Sequence, residues 1–188
     1  MKLFFKISPL LFLMFAASSV QGVEYTQIQA KQSNVAFTYK QMGVAMDGKF
    51  KRFNSQISFD PEQPAKAKAS FDIDLTSIDA GSGEADTEVA GKPWFNTKLF
   101  PTASFVSGSV KSVSNNHYEV SGKLSIKGQS HEIVIPLTYA AQGKNGVFEG
   151  NFTIRRGDFS IGEGSWSKFD IVANEVLVKF RMTASAVK

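Results

Sequence analysis

Apolar and polar residues alternate one by one along most of this chain. From Lys66 to Leu75, Ala67, Ala69, Phe71, Ile73 and Leu75 fall on one side. Lys66, Lys68, Ser70, Asp72 and Asp74 fall on the other. Period two is the side-chain period of a β-strand, so this spacing predicts a strand with one buried face. His117–Lys127 repeats the pattern, with Tyr118, Val120, Gly122, Leu124 and Ile126 inward, and so does Glu175–Met182, with Val176, Val178, Phe180 and Met182. Weaker alternation runs through 35–40, 50–59, 102–111, 132–139 and 147–154, giving eight predicted strands. Turn residues separate them: Asp60-Pro61 with Pro64, Ser114-Asn115-Asn116, Lys127-Gly128-Gln129 and Gly143-Lys144-Asn145-Gly146. Short links imply antiparallel neighbours.

One connection is long, from Thr76 to Pro101. Within it, 84–96 is the only stretch that reads as a helix, with Val89 and the Trp94-Phe95 pair on its buried side. Gly91 and Pro93 keep it short and broken. The segment 157–170, with Gly162, Gly164 and Trp166, reads as a loop placed to cover one end of the sheet.

Strands that alternate for ten residues span roughly 34 Å. Eight of them with one apolar face close into a barrel or stack as a sandwich. The inward set mixes small residues (Ala67, Ala69, Ala103, Gly122, Gly150) with bulky ones (Phe71, Phe105, Phe148, Phe152). That mixture fits a lumen lined by rings, and equally a core packed large against small.

The first 22 residues read as a cleavable signal peptide. Lys2 and Lys6 precede an apolar run, 7–17, and Val20-Gln21-Gly22 offers a small residue at the cleavage point. The run is shorter than the ~20 residues a bilayer span needs, so no stable membrane anchor is expected. The net charge is +4 for the whole chain, and the signal alone holds two of its lysines and no acid. A near-balanced remainder, 23–188, gives no basic stripe for nucleic acid. Its length suits one domain with a real core. Cysteine is absent, which removes disulfides, thiolate chemistry and a lipidated N-terminal cysteine.

Several segments together resemble the YceI-like family of exported bacterial proteins. They are 50–61 (FKRFNSQISFDP), 73–81 (IDLTSIDAG), 94–105 (WFNTKLFPTASF), 120–128 (VSGKLSIKG) and 154–162 (IRRGDFSIG), in the family's order and approximate spacing. The resemblance implies an all-β fold: an elongated, lipocalin-like barrel of eight antiparallel strands. It also implies a periplasmic location, and an isoprenoid or other long-chain lipid or amide held inside. Related barrels dimerise in some cases, so a homodimer is open. Two stretches depart from the family pattern. Tyr39-Lys40-Gln41-Met42-Gly43 stands where a histidine is common, and Glu84-Ala85-Asp86 stands where many members have Arg-Asp. Head-group choice is expected to differ accordingly.

On this reading the ligand wall takes Phe37, Tyr39, Phe71, Ile73 and Phe105 from the first half of the chain. The second half gives it Val120, Leu124, Ile126, Phe152 and Phe180. Trp94, Phe95, Phe159 and Trp166 close an end, and Arg155, Arg156 and Asp158 are candidate polar contacts at the mouth.

Motifs for other chemistry are missing. His117 and His131 have no ligand-spaced partner, so no metal site is expected. Asp79–Asp86 does not fit a calcium loop, and its acids suit a helix N-terminus. Gly162-Glu163-Gly164-Ser165-Trp166 is not a nucleophile elbow. No phosphate cradle is present and no cofactor is expected. Arg155-Arg156 could meet a lipid phosphate or stand as ordinary surface arginines. Two alternatives to a carrier remain: an enzyme on an apolar substrate, with Asp158 and Glu163 the nearest candidates, or an interaction module with a filled barrel.

Overall fold

The computed structural model describes residues 23–187. The expected signal peptide, 1–22, lies outside the described residues. The chain forms β1 (Glu24–Ile28), β2 (Asn34–Gln41), β3 (Val44–Phe50), β4 (Phe53–Ser58), β5 (Lys68–Asp74) and β6 (Ile78–Asp79). A short helix, α1 (Gly83–Ala90), is followed by β7 (Thr102–Ser114), β8 (His117–Ile126), β9 (Gln129–Gln142), β10 (Asn145–Arg155) and β11 (Glu175–Val187).

All strand pairs are antiparallel, and the sheet order is β4-β5-β7-β8-β9-β10-β11-β2-β3-β6, with β1 also on β11. The path starts at β4 and returns to β3, and these two are consecutive in the chain, separated only by Lys51-Arg52. Phe59, just beyond β4, also pairs with Tyr25 of β1 through two backbone hydrogen bonds of 2.9 and 3.2 Å. The sheet therefore curls round on itself as a barrel, which leaves few free edges.

The structure has eleven strand segments where the alternation predicts eight. The difference has three causes. A 3-10 turn at Ala30–Gln32 divides β1 from β2. The bend at Lys51-Arg52 divides β3 from β4, where the strand leaves β2 and joins β5. The two-residue β6 is a fragment of the long connection. β3 adds the segment before Phe50. There Val44, Met46, Gly48 and Phe50 alternate with Ala45, Asp47 and Lys49. The first set lies opposite Gln41, Tyr39, Phe37 and Val35 of β2, with Val44 and Met46 exposed at the barrel end.

In β8, Tyr118, Val120, Gly122, Leu124 and Ile126 are all buried, as the period-two pattern requires. The helix is shorter than 84–96. Ser82 caps its start by accepting from the Ala85 N–H at 3.2 Å, and it stops before Gly91 and Pro93.

One end of the barrel is a floor of stacked rings. Phe59 meets Tyr118 edge-on at 5.3 Å and Phe148 at 5.1 Å, and Tyr139 lies 5.3 Å from Phe148. The Tyr139 hydroxyl donates to the Tyr25 oxygen at 2.9 Å, so the buried phenols satisfy each other. Burial first, and then that hydrogen bond, push the Tyr139 hydroxyl well above the usual phenol range.

Candidate functional site

Above the floor the barrel encloses a cavity of about 320 Å³ that runs to the opposite end. Small-molecule sites commonly occupy ~300–1,000 Å³. The wall is almost wholly apolar. β2 supplies Phe37 and Tyr39, β5 Phe71 and Ile73, and β7 Phe105. Val120, Leu124 and Ile126 come from β8, Phe152 from β10 and Phe180 from β11. Trp94, Phe95 and Trp166 stand at the mouth, with the two indole rings 5.3 Å apart. Alternation brings these residues together, since each strand turns the same side inward.

Phe159 is not in the wall. It is buried behind it, edge-on to His131 at 4.9 Å. The 3-10 turn Arg156–Phe159 breaks the strand period there, which turns Phe159 away from the lumen. Ile57, Leu137, Phe148 and Met182 join the wall from strands whose alternation was already visible. Gln41, Ala85, Glu88 and Val89 join it from the hairpin end of β2 and from α1. Of these four, Val89 carried a periodic signal, Gln41 and Ala85 fall in the two stretches that depart from the family pattern, and Glu88 carried none.

Glycines keep the lumen open. Gly150 faces Phe180 across the β10–β11 pair, and a Cβ there would come 2.6 Å from the Phe180 ring. Gly122 lies diagonal to Phe105 across the β7–β8 pair, and a Cβ there would also come 2.6 Å from the ring. Gly48 faces Phe37 across β2–β3, with the ring directly over it. Each ring lies down on a glycine of the next strand instead of reaching across the axis. A barrel this narrow would otherwise fill with side chains.

The mouth is built around two buried cations. Arg156 is 1% exposed. Its Nε donates to the Ala173 carbonyl at 3.2 Å. Nη1 donates to Ile161 and Gly162 at 2.7 and 3.2 Å, and Nη2 to Trp166, Lys168 and Val172 at 2.8, 3.1 and 2.9 Å. All five of its N–H groups are thus spent on backbone oxygens of 161–173. Its plane lies 5.2 Å from the Trp94 ring and 4.8 Å from the Phe169 ring. Burial pushes the guanidinium below its ordinary value. Gly162 takes a positive φ of 82° beneath it, where a side chain would strike the guanidinium.

Lys127 is the second cation. Its Nζ donates to the Ser160 carbonyl at 2.6 Å and pairs with Glu163 Oε2 at 2.7 Å. Between them the two cations bolt the 157–174 segment over one side of the mouth. Arg156 touches the cavity, but it works as a staple for the backbone. Arg155 is exposed at the end of β10. Asp158 is exposed as well, and its carbonyl oxygen bonds His131 Nε2 at 2.9 Å. The polar group expected from these three residues does not assemble on the cavity.

The other side of the mouth is α1. It is held by the Ala80 N–H donating to Asp86 Oδ1 at 2.6 Å and the Trp94 indole donating to Glu88 Oε1 at 3.1 Å. Tyr39, whose hydroxyl burial pushes up, donates to the Ala80 carbonyl at 3.3 Å. Met42, Val44, Phe169 and Ile171 form an exposed apolar rim, joined where the Met42 N–H donates to the Ile171 carbonyl at 2.7 Å.

A closed-over antiparallel barrel with an apolar lumen defines a class of small binding barrels. The YceI-like domain profile matches residues 26–184, and the chain belongs to the YceI-like family. It is 29% identical over 157 residues to a UPF0312 protein of Yersinia pestis, covering 79% of this chain and 81% of that protein. A UPF0312 protein of Photorhabdus laumondii is 28% identical over 156 residues, with the same coverage. Among solved structures, BcnA of Burkholderia cenocepacia superposes with a TM-score of 0.83 at 39% identity, over 85% of this chain and 100% of that one. A polyisoprenoid binding domain from Saccharophagus degradans, implicated in plant cell wall breakdown, shares the fold. Its TM-score is 0.68 at 16% identity, over 88% of this chain and 99% of that one.

Proposed function

We propose that this protein is an exported carrier or reservoir that holds a long apolar molecule, an isoprenoid or another long-chain lipid, inside its barrel. The observation that carries the reading is an apolar cavity inside the barrel, open at the mouth and kept clear by rings lying on glycines. Membership in the YceI-like family supports it, as does the fold shared with a polyisoprenoid binding domain. Binding comes from removing apolar ligand surface from water, about 0.8 kcal/mol per CH₂. The wall offers few polar contacts, so chain length and shape are read along the lumen. The amino-terminal signal pattern supports delivery to the periplasm. A filled-barrel interaction module would have no such cavity. An enzyme reading loses its two candidates, since neither Asp158 nor Glu163 lines the lumen.

The test is mass spectrometry of lipid extracted from protein purified from its own periplasm. A stoichiometric isoprenoid or long-chain amide is the expected result. An empty extract, with no thermal shift on adding such lipids, would overturn the carrier reading.

A further inference from the structure

We infer that the mouth of this cavity selects an uncharged or cationic head group that donates hydrogen bonds, an alcohol, amide or amine, and rejects a phosphate. The inference rests on the carrier reading and concerns the same site. Among the described residues, the cavity wall holds two charged side chains, Glu88 and Arg156. Arg156 looks like an anion receptor by residue type, but it has no free donor. Every N–H already meets a backbone oxygen of 161–173. Aromatic rings of Trp94 and Phe169 cover it at 5.2 and 4.8 Å. A phosphate could reach it only by stripping donors from carbonyls that would then be buried without partners. Nothing on that guanidinium is left to repay the desolvation of a dianion.

The remaining polar groups offer acceptors. Glu88 Oε1 takes the Trp94 indole N–H at 3.1 Å, and its second oxygen is free of that bond. Glu88 also sits in the last turn of α1, the negative end of the helix dipole. The Tyr39 hydroxyl spends its proton on the Ala80 carbonyl and keeps its lone pairs. Gln41 adds an amide, whose oxygen accepts and whose N–H₂ donates without charge. An O–H, N–H₂ or N–H₃⁺ head finds acceptors here, whereas a phosphate finds a carboxylate and no cation with a free donor among the described residues of the wall.

The two tryptophans of the chain, Trp94 and Trp166, both line the cavity, so their fluorescence reports occupancy. The experiment titrates the protein lacking residues 1–22 with three probes of one tail: geranylgeraniol, geranylgeranylamine and geranylgeranyl monophosphate. The alcohol and the amine are expected to bind about tenfold or more tighter than the monophosphate at neutral pH. Glu88→Gln, which keeps an acceptor for the Trp94 indole, is expected to narrow that gap to about threefold by improving the monophosphate. A monophosphate that binds as tightly as the alcohol overturns the inference, and so does a gap that Glu88→Gln leaves unchanged. Failure of all three probes to bind overturns the carrier reading and the inference with it.

Discussion

At the floor of the barrel, Tyr25, Phe59, Tyr118, Tyr139 and Phe148 meet ring against ring, and the one polar pair is internal to the cluster. At the mouth, Arg156 and Lys127 reach out to carbonyl oxygens of an irregular segment that has no ladder of its own. Regular strands satisfy their backbone groups with each other, so their end needs only apolar filling. An irregular segment buried over a cavity must find donors for its carbonyls elsewhere, and a guanidinium supplies five at once. The floor is therefore expected to depend on packing and the mouth on a few charged hydrogen bonds.

The sharpest way to break this contrast is at Arg156. Arg156→Met should cost about 3–5 kcal/mol and lower the urea midpoint, because it strips the carbonyls of 161–173 of their donors at once. Arg156→Lys should recover less than half of that, since an ammonium has three donors and no planar fork. If the methionine variant unfolds at the wild-type midpoint, the staple is not what holds the cap.

Next in size is the lumen. Gly150→Ala should lift the Phe180 ring off the wall, costing about 1–3 kcal/mol by overpacking. It should also weaken geranylgeraniol binding about tenfold. Adding Phe180→Leu should restore only part of the binding, because the new Cβ would also stand 2.6 Å from the Pro136 carbonyl oxygen. Tryptophan quenching reads the affinity and thermal unfolding reads the stability.

The floor should show its chemistry at high pH. Burial holds the Tyr139 hydroxyl in its protonated form, so its folded value lies above the unfolded value near 10. Its contribution is complete below about pH 10 and is lost as pH rises beyond it, at up to about 1.4 kcal/mol per pH unit for one proton. Tyr139→Phe should cost about 1 kcal/mol at neutral pH through the lost hydrogen bond, and should flatten that alkaline slope. Urea midpoints from pH 8 to 11.5 would decide it.

The smallest effect is expected at Glu163. Its carboxylate is half exposed, and Lys127 keeps its bond to the Ser160 carbonyl without it. Glu163→Gln should change stability by less than about 1 kcal/mol in a denaturant titration.

Much of the lumen was legible because a strand's period is local: inward residues such as Phe71, Val120, Leu124 and Phe180 can be read two by two along the chain. The same locality misplaced Phe159, where a turn interrupts the period. Gln41 and Glu88 reach the wall from a hairpin end and a short helix, where no period carries through.

The sequence by itself determined the antiparallel strands, the inward face, the family and the break of the helix before Gly91 and Pro93, all set by neighbours along the chain. The tertiary structure alone decided that the barrel is hollow, because that depends on Phe180 lying on Gly150 and Phe37 on Gly48 across strand pairs. It alone decided the work of Arg156, because a guanidinium's role is set by which oxygens surround it, and those oxygens come from a segment folded back over it.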